Sequence, residues 1–126
     1  MYLLDFGTNG LAPLTQLPHV ADSLLLDQTE KIQKFIRIIN RELDRRKKLL
    51  SEHGVGTIAL YREVTGKQEP TMVILMDSYE SMKDEPYETD LFKLFMRISR
   101  EGLSIGVHLI ITASRQNNLR AQLYSN

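Results

Sequence analysis

The stretch MVILMDSYESM, residues 72–82, decides the fold. Its first five residues are apolar and lead directly into an acid, Asp77, which is followed by Ser78. A short uninterrupted apolar run is typical of a strand that is buried on both faces of a parallel sheet. Such sheets bind ligands at the edge where the carboxyl ends of their strands meet. The stretch therefore predicts an α/β protein that holds the carboxylate of Asp77 at a ligand-binding edge.

Two other segments have the form of short apolar strands. MYLLD, residues 1–5, ends in Asp5 before the turn sequence GTNG, and SIGVHLIITAS contains an apolar run at residues 107–112. Together the three segments predict a parallel sheet of about three strands, flanked by helices. Asp5, Asp77 and residues 112–114 are then expected at one edge of the sheet.

Helical periodicity fills the intervals between these strands. Asp27 and Glu30 have the spacing of a capping box and predict the start of a long amphipathic helix, which HGVG ends at residues 53–56. Its expected apolar face is Ile32, Phe35, Ile36, Ile39, Leu43 and Leu50. TIALYREV, residues 57–64, fits a strand or a short helix, and the helix is favoured. A further helix is predicted from Asp90 to Gly102, with Leu91, Leu94, Phe95 and Ile98 on its buried face.

Composition limits the classes of function. The chain of 126 residues fits one domain, and its 16 basic and 16 acidic residues cancel, so no global charge attracts nucleic acid or an anionic membrane. There is no cysteine, which excludes a thiol nucleophile and thiolate metal ligands. No apolar run approaches the roughly 20 residues that span a bilayer. The N-terminus lacks the basic region of a signal peptide.

Four segments in order resemble one family. LPHV (17–20), ELDRRKKLLSEHGVGTIALYRE, MVILMDSYESM and ISREGLSIGVHLIITASRQN are similar in sequence and spacing to FtsK/SpoIIIE-type translocase ATPases. The resemblance covers nearly the whole chain and implies a RecA-like P-loop fold. Within the family, the sequence is most similar in style to the ATPases of type VII (ESX/Ess-like) protein secretion.

The resemblance also assigns expected roles at the sheet edge. By the family pattern Asp77 would be the Walker B acid that holds a Mg-bound water, and Ser78 stands where a glutamate usually polarises the attacking water. Thr112, Ser114 and Arg115 occupy sensor positions, where a glutamine ahead of the arginine is usual. A serine hydroxyl is a poor general base near neutral pH. A degenerate Walker B site is therefore expected.

The chain contains no GxxxxGK[ST] motif. In the family that loop lies earlier, so residues 1–126 are expected to be the C-terminal portion of a single ATPase domain without its P-loop segment. We expect this chain to be catalytically inactive and to bind ATP and Mg weakly or not at all, although the full-length parent would use both. That parent is expected to be a bacterial protein anchored in the inner membrane, with this domain in the cytoplasm.

The resemblance implies partners and leaves two alternatives open. Expected partners are other ATPase domains or subunits of the parent and small helical secreted proteins. One alternative is part of a DNA translocase motor, and the other is an interaction module that binds no nucleotide but keeps the same scaffold. The zero net charge argues against the motor. The basic run at residues 45–48 is interpreted as a solvated helix face, because Glu42, Asp44 and Glu52 dilute it. Strong DNA binding is therefore not expected.

Two further expectations concern the last strand and the histidines. If the strand at 107–112 is an open sheet edge, its apolar sequence VHLIIT favours self-association through that edge. His19, His53 and His108 lack the spacing of metal ligands, so they are interpreted as surface or core histidines rather than as a metal site.

Overall fold

Four parallel strands form the sheet in the part of the chain that the structure describes. The computed structural model describes residues 1–7, 11, 15, 20 and 22–112. The strands are β1 (Tyr2–Asp5), β2 (Asp22–Leu25), β3 (Met72–Asp77) and β4 (Val107–Ile111), in the order β2-β1-β3-β4. The helices are α1 (Thr29–Glu52), α2 (Ile58–Thr65) and α3 (Glu88–Ile105), with a 3₁₀ turn at Tyr79–Met82. The predicted α/β architecture, a parallel sheet flanked by helices, is confirmed.

The main core lies between one face of the sheet and the helices. Alternate strand residues, such as Leu4, Ile74 and Val107, join the buried apolar faces of α1 and α3 in one cluster. All six apolar residues predicted for α1 and all four predicted for α3 are buried. Each fully buried side chain of this size stabilises the fold by roughly 2 kcal/mol relative to exposure. The packed core therefore holds the strands, and the residues at their carboxyl ends, in fixed positions.

The sequence analysis missed β2. No strand was predicted in residues 17–27, LPHVADSLLLD, so the sheet has four described strands where about three were expected. β2 has only four residues, lies at the edge of the described sheet and leaves Leu25 40% exposed. A short strand with this much exposure lacks the long apolar run by which β3 was recognised.

The predicted capping box at the start of α1 is wrong. The residue at the N-cap is Gln28, and no side chain caps the first turn. Instead, Gln28 Oε1 accepts a hydrogen bond of 2.8 Å from the backbone N–H of Leu25. The side chain thus closes the tight turn between β2 and α1. The predicted end of α1 is confirmed, because the helix stops at Glu52 with His53 at its C-cap.

The limits of α3 also differ from the prediction. The helix begins at Glu88 and passes through Gly102 to Ile105, with Gly106 in the left-handed conformation at the C-cap (φ 75°). A Cβ on Gly102 would collide with the carbonyl oxygen of Val107. Gly102 therefore allows close packing of the helix against β4 and does not end the helix.

The favoured short helix at residues 57–64 is confirmed as α2, whose N-cap residue Thr57 accepts a hydrogen bond from the N–H of Leu60.

Candidate functional site at the carboxyl edge of the sheet

Three polar strand ends meet at the carboxyl edge. Asp5 of β1 lies in register with Asp77 of β3, and Thr112 follows β4 directly. The hydroxyl of Thr112 donates a hydrogen bond of 2.6 Å to Asp77 Oδ1, and its backbone N–H donates to Met76 O at 2.9 Å. The parallel order of the strands thus brings Asp5, Asp77 and Thr112 together, as expected from the sequence.

Asp5 is a buried carboxylate at this edge. Only 5% of the residue is exposed. Its Oδ2 accepts one long hydrogen bond, 3.3 Å from the backbone N–H of Leu11, and its Oδ1 has no hydrogen-bond partner among the residues that the structure describes. A buried carboxylate oxygen without a partner is costly, and such groups often mark functional sites. The sequence analysis placed Asp5 at the edge but gave it no role.

Gly7 and Ser78 lie in close contact beside Asp77. A Cβ on Gly7 would collide with Ser78 Oγ and would lie 3.3 Å from Asp77 Oδ2. Ser78 adopts the left-handed conformation, with φ 61° and ψ 56°, which is unfavourable for a residue other than glycine. Strained backbone of this kind is concentrated at functional sites. The sequence indicated Gly7 only as part of a turn, since its contact with Ser78 arises from strand pairing.

Tyr79 connects this edge to the start of α3. Its backbone N–H donates a 3.2 Å hydrogen bond to Thr112 O, which continues the pairing of the two chain segments beyond β3 and β4. Its side chain is buried, and burial, with a smaller effect from Glu88, raises the pKa of Tyr79 to about 12. The phenol is therefore neutral at physiological pH.

Some predicted positions fall elsewhere. Ser114, Arg115 and His19 lie outside the described residues. His53 contacts the carbonyl oxygen of Leu49 at 2.9 Å and packs edge-on against Tyr61. Within residues 22–112 and the short N-terminal stretches, no group of three or more His, Cys, Asp or Glu side chains is placed to hold a metal ion. Nor does any helix in those ranges have the length and apolar character needed to cross a membrane.

The basic run of α1 is the solvated face that the sequence indicated at Arg45, Lys47 and Lys48, whose side chains are 48%, 50% and 80% exposed. Arg46 is the exception, because it is only 2% exposed. Its Nε donates to Glu42 Oε1 at 2.9 Å. Its two terminal nitrogens donate to Ile105 O at 2.8 Å and to Pro70 O at 2.6 Å. Arg46 therefore fixes the end of α3 and the entry to β3 at the amino edge of the sheet.

The neighbours of Arg46 are also paired with acids. Arg45 binds both Glu42 and Glu69, and Lys47 binds Glu101 at 2.9 Å. Lys48 lies 3.9 Å from Glu52. The hydrogen bonds from Arg45 lower the pKa of Glu42 and of Glu69, and a hydrogen bond from Lys47 lowers that of Glu101. The charges of the basic run are thus largely paired with acids of the same chain.

The described residues form a parallel α/β domain in which two acids and a threonine meet at the carboxyl edge of the sheet. The model of the FtsK/SpoIIIE family matches residues 1–126, and the chain belongs to this family. The type VII secretion system protein EssC of Staphylococcus aureus (strain NCTC 8325 / PS 47) is 46% identical over all 126 residues. The chain spans only 8% of that relative's length.

Solved structures of related proteins have the same fold. One structure, of the cytoplasmic domain of EssC, is 35% identical and superposes with a TM-score of 0.88, over 98% of this chain and 24% of that one. A second, of Thermomonospora curvata EccC (ATPases 2 and 3) in complex with a signal sequence peptide, is 22% identical with a TM-score of 0.83. It covers 98% of this chain and 23% of that one, and at this identity it supports the fold alone.

Proposed function

We propose that the chain is a segment of an EssC-like ATPase of type VII protein secretion. The observation that carries this proposal is the 46% identity to EssC over every residue of the chain. The segment would form the C-terminal portion of one ATPase domain, with the P-loop supplied from elsewhere in the parent. One solved relative is the cytoplasmic domain of EssC, which supports a cytoplasmic location for this segment. The parent protein is proposed to be anchored in the membrane.

The carboxyl edge would be the remnant of a nucleotide and magnesium site. Its oxygen donors suit a hard cation: Asp5 has a buried oxygen without a described partner, and Ser78 Oγ and Asp77 Oδ2 both lie close to Gly7. A magnesium ion bound there with ATP would neutralise phosphate charge. Asp77 and Ser78 would border that ion, and Thr112 would hold Asp77 in position through its 2.6 Å hydrogen bond. Ser114 and Arg115 would be sensors.

The chain is proposed to be catalytically inactive. Ser78 lacks the carboxylate that would polarise an attacking water, and positioning and electrostatics supply most of the catalysis in phosphoryl transfer. An assay of phosphate release with MgATP should show no turnover above background. Turnover that Asp77→Ala abolishes, with Asp90→Ala as the control on an exposed helix position, would overturn this part of the proposal.

Secretion rather than DNA translocation is favoured by the ion pairs of the basic run. Arg45, Arg46 and Lys47 all bind acids within the fold, which leaves little of the charge of this run to neutralise phosphates. Duplex DNA should bind with about micromolar or weaker affinity at physiological salt. Fluorescence anisotropy measures this directly. A nanomolar complex that persists at raised salt would favour the DNA translocase motor instead.

The partners proposed for the parent are other ATPase domains and small helical secreted proteins. The EccC relative contains two numbered ATPases and was solved with a signal sequence peptide. The alternative is an interaction module that has the same scaffold but binds no nucleotide. Nucleotide binding by the parent would favour the ATPase over this module. Isothermal titration of the parent with ATP and magnesium makes the distinction, and the absence of any heat would favour the module.

Self-association of the isolated chain is proposed through β4. In the described part of the chain β4 pairs only with β3, so its other side is a sheet edge, and Ile110 is 51% exposed. An open apolar edge favours pairing with a second copy. Sedimentation at micromolar concentration should detect a dimer that Ile110→Lys weakens. Leu103→Lys, at an 83% exposed position on α3, is the control, and a monomer in all three chains would exclude this interface.

A further inference from the structure

The described residues include two buried charged side chains, Asp5 and Arg46. Arg46 donates hydrogen bonds from all three guanidinium nitrogens. Asp5 accepts only one, at 3.3 Å, and its Oδ1 has no partner within those residues. Family resemblance gave a role to Asp77 and none to Asp5. The unpaired oxygen therefore requires its own explanation.

The register of the sheet places the two carboxylates side by side. Asp5 and Asp77 are partners on adjacent parallel strands, which lie about 4.8 Å apart. Partners in register project from the same face of a sheet, so the side chains of Asp5 and Asp77 are neighbours. Thr112 donates a hydrogen bond to Asp77 Oδ1, whereas Asp77 Oδ2 lies 3.3 Å from the position that a Cβ on Gly7 would take, next to Ser78 Oγ. Among the described residues, Asp5 Oδ1 has no hydrogen-bond partner, and Thr112 donates to only one oxygen of Asp77.

Ser78 adds a third oxygen to the same place. Its Oγ lies where a Cβ on Gly7 would collide with it. The left-handed backbone of Ser78 is unfavourable. Two carboxylates and a hydroxyl are hard oxygen donors, which magnesium and manganese prefer. Magnesium sites commonly have only one or two carboxylates and keep several waters.

We propose that Asp5 is a second carboxylate ligand at this edge and that Asp5 and Asp77 together bind a divalent cation in the absence of nucleotide. This inference rests on the proposed function for the location of the site, the remnant of a nucleotide and magnesium site at the carboxyl edge. It adds that two strand-end acids, Asp5 and Asp77, bind the cation. Cation binding would then persist in a chain that binds no ATP.

The test measures manganese binding to the whole chain without nucleotide, from the electron paramagnetic resonance signal of free Mn²⁺. The unmodified chain should bind one ion. Asp5→Asn and Asp77→Asn should each weaken binding by at least about tenfold, the scale on which even the hydrogen-bond partners of metal ligands act. Asp90→Asn, an exposed acid on α3, is the matched control and should bind as the unmodified chain does.

Folding of each variant is checked by circular dichroism, and Asp5→Ser replaces Asp5→Asn if the amide is not tolerated. Unchanged affinity in the Asp5 variant overturns the proposal. The absence from the unmodified chain of any site tighter than those that remain in Asp77→Asn also overturns it. A parallel titration with a fluorescent ATP analogue tests the proposed function separately. Manganese binding without ATP binding supports the two-acid site and counts against the nucleotide site.

Discussion

Among the described residues two charged side chains are buried, Arg46 near the amino ends of the strands and Asp5 at their carboxyl ends, and the fold pairs them differently. At the amino edge Arg46 donates to Glu42, Ile105 and Pro70 at 2.6 to 2.9 Å. At the carboxyl edge Asp5 accepts one 3.3 Å bond and leaves an oxygen without a described partner. A buried charge stabilises a fold only when its hydrogen bonds are made. The amino edge therefore serves stability, whereas the carboxyl edge is the one at which we propose a ligand.

The largest effect expected from this comparison is that of Arg46→Ala. The change removes three donors from buried or partly buried oxygens, so the free energy of unfolding should fall by about 3 kcal/mol. Urea unfolding measures the loss. Arg45→Ala is the control, because its side chain is 48% exposed and exposed ion pairs contribute less than about 1 kcal/mol. Equal losses in the two variants would show that Arg46 is not a structural clamp.

The next effect tests the crowding at the carboxyl edge. Gly7→Ala places a Cβ against Ser78 Oγ, and the resulting strain should lower the free energy of unfolding by about 2 kcal/mol. Adding Ser78→Gly removes both Ser78 atoms that the new Cβ would contact. The double variant should then recover at least half of the loss, which a double-mutant cycle detects. Additive effects of the two changes would mean that Gly7 is required for another reason.

A smaller change of opposite sign is expected for Ser78→Gly alone. Relief of the left-handed backbone at φ 61° should raise the free energy of unfolding by about 1 kcal/mol. Asp84→Gly is the matched control, because Asp84 has φ 67° but aspartate tolerates this conformation better than serine. If Ser78→Gly raises the free energy of unfolding no more than Asp84→Gly does, the backbone of Ser78 is not unusually strained, and strain no longer supports a functional role for Ser78.

The sequence predicted the scaffold better than the sites because the two depend on different information. The apolar faces of α1 and α3 follow from periodicity within single segments, and all their predicted residues are buried. The proximity of Asp5 and Asp77 could be predicted because it depends only on the parallel direction of the strands that they end. Gly7 and Arg46 could not be predicted in the same way, since their roles depend on Ser78 and Ile105, which are distant in sequence.

The smallest effect concerns the ion pairs around the amino edge and their dependence on pH. Hydrogen bonds from Arg45 lower the pKa of Glu42 and Glu69 below the usual value of 4.5. The unfolded chain therefore binds protons on these groups at a higher pH than the folded chain does. Their contribution to stability is present above about pH 4.5 and is lost as the pH falls through the lowered values.

Glu69→Gln should consequently reduce the loss of stability between pH 7 and pH 3.5, because the variant no longer carries one of the groups that protonate on unfolding. The reduction is expected to be small, since Arg45 is 48% exposed, and it should shrink further in 1 M salt, where the Debye length is about 3 Å. Glu63→Gln, at an exposed position of α2, is the control. Urea midpoints at the two pH values give the comparison. If both variants behave alike, the pairing of Glu69 with Arg45 contributes nothing to acid stability.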